Sequence, residues 1–225
     1  YSPHEREMRR YGRPSIGSGL VFPVSEEDIM IEPIMIEDHW PRIAAIDFGW
    51  DHPTALVWCA VDNESETFYI YDCYRASKAS PTVHAQNIRM RPHFIPIAYP
   101  HDGNRRDSMG NPGLADQYRN LGCNFLLEHF TNPPALGVNK GSNSIEEGLM
   151  AMLQKIEAKK FKVFNTLGDW FEEFRMYHRK DGKVVPLRDD LMSATRYAFQ
   201  SQRFAVAGED PSWTADVEYR NYGIV

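Results

Sequence analysis

Residues 42–58 read RIAAIDFGWDHPTALVW. RIAAIDF is an apolar run of the kind a buried strand shows, and it closes on Asp47. TALVWCAV, Thr54–Val61, predicts a second strand, and TFYIYDCYR, Thr67–Arg75, a third. Asp62-Asn63-Glu64-Ser65 between the last two suits a hairpin loop. Links this short make the three strands antiparallel neighbours.

Downstream, strands alternate with helices. Pro81–Met90 has helical spacing with Pro81 at the first helical position. FIPIAYP is a fourth strand leading to Asp102. Asn111-Pro112 opens a helix that stops at Gly122, and CNFLLEHF reads as another strand. Ser144 and Glu147 form a capping-box pattern ahead of an amphipathic helix. FKVF is a short strand, Thr166–His178 is helical, Asp181-Gly182 marks a hairpin and Arg188–Gln202 is the last helix. The expected fold is α/β, a central mixed sheet with antiparallel first three strands, flanked by helices.

Three acidic positions fall at the ends of separate elements: Asp47, Asp102 and the Asp189–Asp190 pair. Each has a plain structural use, as a strand-end turn, an Asp-Gly turn and a helix N-cap respectively. Together they suit hard divalent cations, which take oxygen ligands and can stabilise the attacking and leaving oxygens of a phosphodiester displacement. The expected ligands are Asp47, bridging two ions, with Asp102, Asp190 and Asp189. The cofactor is Mg2+, with Mn2+ able to substitute. Asp51, His52 and His101 lie beside these positions, Asp51 as a candidate fourth acid and the histidines as candidate proton carriers or water orienters. Among the aromatics, Trp50, Trp58, Tyr69, Tyr71, Trp170 and Phe171 are expected in the core, with base stacking as a second use for Trp50.

Composition narrows the class. The 225 residues are 42% hydrophobic and 25% charged, as in an ordinary globular protein. No stretch approaches the ~18–20 apolar residues of a membrane span, so no membrane partner is expected. YSPHEREMRRYGRP is too polar for a signal peptide. Cys59, Cys73 and Cys123 are widely spaced and expected to be reduced thiols. A net charge of −6 predicts a weak grip on any nucleic acid. Local basic clusters at Arg105–Arg106 and between Arg179 and Arg188 flank the acids and could touch phosphates. The latter hairpin could gate access to the site.

IDFGWDHPTALVW, IAYPHDG and DDLMSATRYAF, with Asp47 and Asp102 55 positions apart and Asp102 and Asp190 88 apart, resemble the C-terminal nuclease domain of the large terminase subunit of tailed bacteriophages. The resemblance runs from about Ile43 to Gln202. It implies a ribonuclease H-like fold and a metal-dependent endonuclease that cuts concatemeric viral DNA during headful packaging in the host cell cytoplasm. It further implies double-stranded DNA as substrate, and the terminase small subunit and portal protein as partners of the full-length chain. Residues 1–40 are expected to be an irregular arm from a preceding ATPase domain, 41–205 the nuclease domain and 206–225 a tail. The start at Tyr1 and the lack of GxxxxGK[ST] fit a fragment without the motor. One departure is Ser193, where many relatives carry a further acid. Which of Asp189, Asp190 and Ser193 completes the site is open, with Asp190 taken first. Alternatives are a junction resolvase or transposase type of nuclease, an actin- or sugar-kinase-like ATPase fragment, and a non-catalytic docking module.

Overall fold

The computed structural model describes residues 19–105, 112–134 and 141–208. A short helix α1 (Glu26–Ile29) and strand β1 (Met30–Ile31) precede the antiparallel strands β2 (Arg42–Asp47), β3 (Thr54–Asp62) and β4 (Thr67–Ala76). Helix α2 (Pro81–Ile88), strand β5 (Ile97–Ala98), a 3-10 turn (His101–Asn104) and helix α3 (Leu114–Asn120) follow. Then come α4 (Ile145–Glu157), β6 (Phe161–Phe164), α5 (Gly168–Met176), the hairpin β7 (Arg179–Lys180) and β8 (Lys183–Val184), and α6 (Asp190–Gln200).

The main sheet runs β1-β6-β4-β3-β2-β5. Its centre is antiparallel, and β1, β6 and β5 pair with their neighbours in parallel. β3 is central and has seven consecutive buried residues, so its pattern is a continuous apolar run rather than an alternation. Its side chains still divide by pleat. Ala55, Val57 and Cys59 join the core under α4, α5 and α6, while Leu56 and Trp58 join the core under α2 and α3.

Small residues locate the last helix. Ala45, Ala55 and Ala98 lie on the face that also holds Leu191, Ala194 and Ala198, so α6 lies across β2 and β3. Phe68, Phe161, Phe199 and Trp170 fill the space beside it. Each such fully buried side chain contributes about 2 kcal/mol or more of transfer free energy. The result puts the start of α6, and with it Asp190, near the end of β2 that carries Asp47.

The structure corrects several expectations. CNFLLEHF is not a strand: it meets β5 only through a single bridge, Ile97 to Phe125, and β5 itself is two residues long. Residues 19–40 are more ordered than expected. Ile29 is fully buried, and β1 adds an edge strand beside β6. Ser144 does cap α4, accepting from the Glu147 amide at 3.4 Å, but the Glu147 carboxylate accepts from Asn132 (3.1 Å) while Ser142 Oγ takes the Ser144 amide. Trp50 is not core; it is 59% exposed. Trp58, Trp170 and Phe171 are buried, and Tyr69 and Tyr71 are partly so. The hairpin matches its turn signal: Asp181 and Gly182 both have positive φ, the backbone a two-residue hairpin requires. Cys59 and Cys123 are buried free thiols and Cys73 is partly buried. Among the described residues no helix is long and apolar enough to cross a membrane. Arg106, Asn111 and the tail beyond Gly208 lie outside the described residues.

Candidate active site

Asp47 is the last residue of β2, flanked by β3 on one side and β5 on the other. The chain must reverse at once to return as β3. Thr54 clamps that turn, accepting from the Gly49 amide (3.2 Å) and donating to the Gly49 carbonyl (2.9 Å). A Cβ on Gly49 would stand 2.3 Å from the His52 carbonyl, so the turn needs glycine there. This tight closure leaves Trp50, Asp51 and His52 exposed at the rim.

Asp102 is exposed on the 3-10 turn that follows β5, not on the strand itself. Gly103 lets the turn press against the core, since a Cβ there would come within 2.7 Å of Phe48 and Tyr99. Asp190 is the first residue of α6 and is buried, and Asp189 occupies the N-cap position. Asp189 makes no side-chain capping hydrogen bond, so the plain structural use of this pair does not hold for it.

Electrostatics ties the positions together. Burial, then the charges of Asp190, Asp189 and Asp102, pushes the Asp47 carboxyl up to about 8, with Arg196 opposing. Burial, followed by Asp190, raises Asp189; burial raises Asp190, and His52 counters the rise in both. All three other acids therefore act on Asp47. Among the described residues, however, no three His, Cys, Asp or Glu side chains are gathered closely enough to form a ready metal cage. The two observations are compatible, because charges interact over distances well beyond a coordination bond. Like charges at the end of one strand repel, and the elements hold them near one another in spite of it.

These four acids offer carboxylate oxygens, a donor type that suits magnesium or manganese and not a soft metal. A divalent cation is also the group that would relieve the repulsion raising Asp47.

Two neighbours escaped the sequence reading. Tyr197 stands beside Asp47, and burial followed by the Asp47 charge raises its hydroxyl well above the usual range. Arg196 is buried, stacks 5.2 Å from the Phe130 ring and 4.8 Å from that of Tyr197, and lowers Asp47 and Asp189. Its Nε and Nη1 have no hydrogen-bond partner. The only signal for either residue was the Arg-Tyr step one helical turn past Ser193. Of the proposed proton carriers, His52 lies within electrostatic reach of Asp189 and Asp190, whereas His101 faces His129 at 6.5 Å between rings. Ser193 is partly buried and its amide donates to the Asp189 carbonyl at 2.7 Å. Arg105 is exposed next to the Asp102 turn. A small cleft lined by Trp58, Arg91, His93 and Cys123 belongs to the other side of the sheet, and no site carboxylate lines it.

The mixed sheet in this strand order, flanked by helices, is a ribonuclease H-like nuclease fold. Residues 44–202 match the family described as terminase RNaseH-like domain, and the chain belongs to that family. The terminase large subunit of Salmonella phage P22 is 38% identical over 206 residues, covering 91% of this chain and 40% of that protein. The solved nuclease domain of the P22 large terminase matches with a TM-score of 0.77 at 36% identity, over 86% of this chain and 97% of that one. The large terminase nuclease domain of bacteriophage SPP1, solved with bound Mn, shares the fold at a TM-score of 0.50 and 19% identity, over 76% of this chain and 93% of that one. The chain spans about two fifths of the length of the curated relatives it matches.

Proposed function

We propose that this chain is a metal-dependent DNA endonuclease that cuts concatemeric viral DNA during genome packaging. The observation that carries the reading is the Asp47 carboxyl, raised to about 8 by burial and by acids arriving from two other elements. A fold needing only stability has little reason to keep such repulsion at its centre. Asp47, Asp102, Asp190 and Asp189 would hold Mg2+ or Mn2+, as two ions. Bound there, the ions would supply Lewis-acid stabilisation of an in-line phosphodiester hydrolysis.

The chain's own residues have separate tasks in this reading. Tyr197 orients the Asp47 carboxylate through its hydroxyl. Arg196 keeps a positive charge behind the acids, so that Asp47 and Asp189 ionise more readily. His52, at the rim beside Asp189 and Asp190, is placed to take up or deliver a proton. Arg105 and the Arg179–Arg188 hairpin supply cations for phosphate contacts. The metal-bound SPP1 relative and the P22 nuclease domain support the assignment by likeness of fold and, for P22, of sequence.

In the same proposal, residues 41–205 are the nuclease domain, 1–40 an arm from a packaging ATPase and 206–225 a tail. The longer protein would work on double-stranded DNA with a terminase small subunit and a portal protein, in the host cell cytoplasm. Asp47→Ala should abolish plasmid nicking with Mg2+ or Mn2+ while leaving the circular dichroism spectrum unchanged. Nicking that persists at the wild-type rate would overturn the reading.

A further inference from the structure

We propose that Glu173 is a positioning residue that caps α6 from the neighbouring helix α5 and so releases Asp189 and Asp190 for the active site. The inference rests on the reading that these two aspartates hold metal.

Asp189 stands at the N-cap of α6, where an aspartate ordinarily offers its own carboxylate to the amide two or three residues on. It does not do so here. The amide two residues on, that of Leu191, donates instead to Glu173 Oε2 at 2.6 Å. Glu173 is fully buried, and its other oxygen accepts from Arg75 Nη1 at 3.1 Å. Arg75, on β4, also pairs with Asp169 (2.9 Å) and Glu172 (2.5 Å). The cap is thus fastened to the sheet through Arg75 and does not depend on the helix it serves.

Burying a carboxylate, even one paired with Arg75, is a costly way to cap a helix when a better-placed aspartate is already at the N-cap. It makes physical sense if that aspartate is needed elsewhere. With Leu191 satisfied from α5, neither Asp189 nor Asp190 is held by a backbone amide of the first turn beyond its own, and both can act on Asp47, as they do. Removing the Glu173 oxygen leaves the Leu191 amide open, and Asp189 is the group at hand to turn toward it. A metal ligand would then become an ordinary helix cap.

The test uses the 225-residue chain. Mn2+ binding is titrated calorimetrically for the wild type, Glu173→Gln and Glu173→Leu, and thermal unfolding in EDTA checks that each is folded. Glutamine keeps an oxygen for the Leu191 amide, so its affinity should stay within about threefold of wild type. Leucine removes the oxygen, so Mn2+ should bind about tenfold or more weakly, the range for lost supporting groups at metal sites. A purely structural role would lower the melting temperature and leave the affinity of the folded protein unchanged. Wild-type affinity in folded Glu173→Leu, or equal losses in both variants, would overturn the inference. If Glu173→Leu shows no unfolding transition, Glu173→Asp replaces it: the charge stays, the acceptor retreats by one methylene, and wild-type affinity would again overturn the inference. A wild-type chain that binds no Mn2+ would instead refute the metal-site reading itself.

Discussion

Asp47→Asn should make the protein more stable in EDTA while removing its response to divalent ions. The folded-state value of about 8 for Asp47 lies well above the ordinary aspartate value near 4. Between those two values the folded chain holds a proton that the unfolded chain has released, so stability falls as pH rises through this window. At 1.36 kcal/mol per pH unit, the accumulated cost of ionising Asp47 approaches about 5 kcal/mol at pH 8. Relaxation of the neighbouring acids absorbs part of it, which leaves about 2 to 4 kcal/mol. Asparagine keeps the shape and carries no charge, so it should recover that amount. For a domain of this size the gain corresponds to a melting temperature about 5–10 °C above wild type at pH 8, shrinking to a few degrees or less at pH 5. Scanning fluorimetry in EDTA at the two pH values measures it. Adding Mn2+ should then raise the wild-type melting temperature and leave the variant where it was. A variant that melts at or below wild type at pH 8, or a gap that fails to widen from pH 5 to pH 8, would refute the reasoning.

The core and the rim give further tests. Trp170→Phe removes the hydrogen bond from Nε1 to Thr195 Oγ1 (2.9 Å) and leaves a gap, so urea unfolding should show a loss of about 2–3 kcal/mol. Thr195 keeps its bond to the Leu191 carbonyl (2.7 Å), and nicking by the folded variant should be unchanged. Deleting Lys180–Lys183 removes the hairpin turn while α4 keeps its own contacts, so the melting temperature should change by no more than about 3 °C. The nicking rate should change; an unaltered rate would dispose of a gating role. DNA binding, measured by fluorescence anisotropy, should be weak because the chain carries a net charge of −6, and should fall with salt through the phosphate contacts of Arg105 and the Arg179–Arg188 hairpin. Tight binding at moderate salt would contradict that expectation.

What the sequence determined was local. RIAAID and TALVWCAVD are apolar over a strand's length and joined by a turn that needs glycine at 49, so the pairing of β2 with β3 is legible locally even though neighbouring strands and helices bury it. Asp181-Gly182 dictates its hairpin for the same reason, since the required backbone angles belong to those two residues. The acidic positions were legible because carboxylates at element ends are a chemical pattern that needs no distance. Tertiary structure decided the remainder. CNFLLEHF has strand composition but finds a single bridge, and Met30–Ile31 has no signal of its own yet becomes an edge strand because β6 presents it with an open partner. Trp50 looks like core by composition and is carried to the surface by the turn at Gly49. The Asp47 shift, the Arg196 charge behind it and the Glu173 cap on α6 each join residues far apart in the chain. Burial and charge are sums over neighbours in space, and only the folded chain supplies those neighbours.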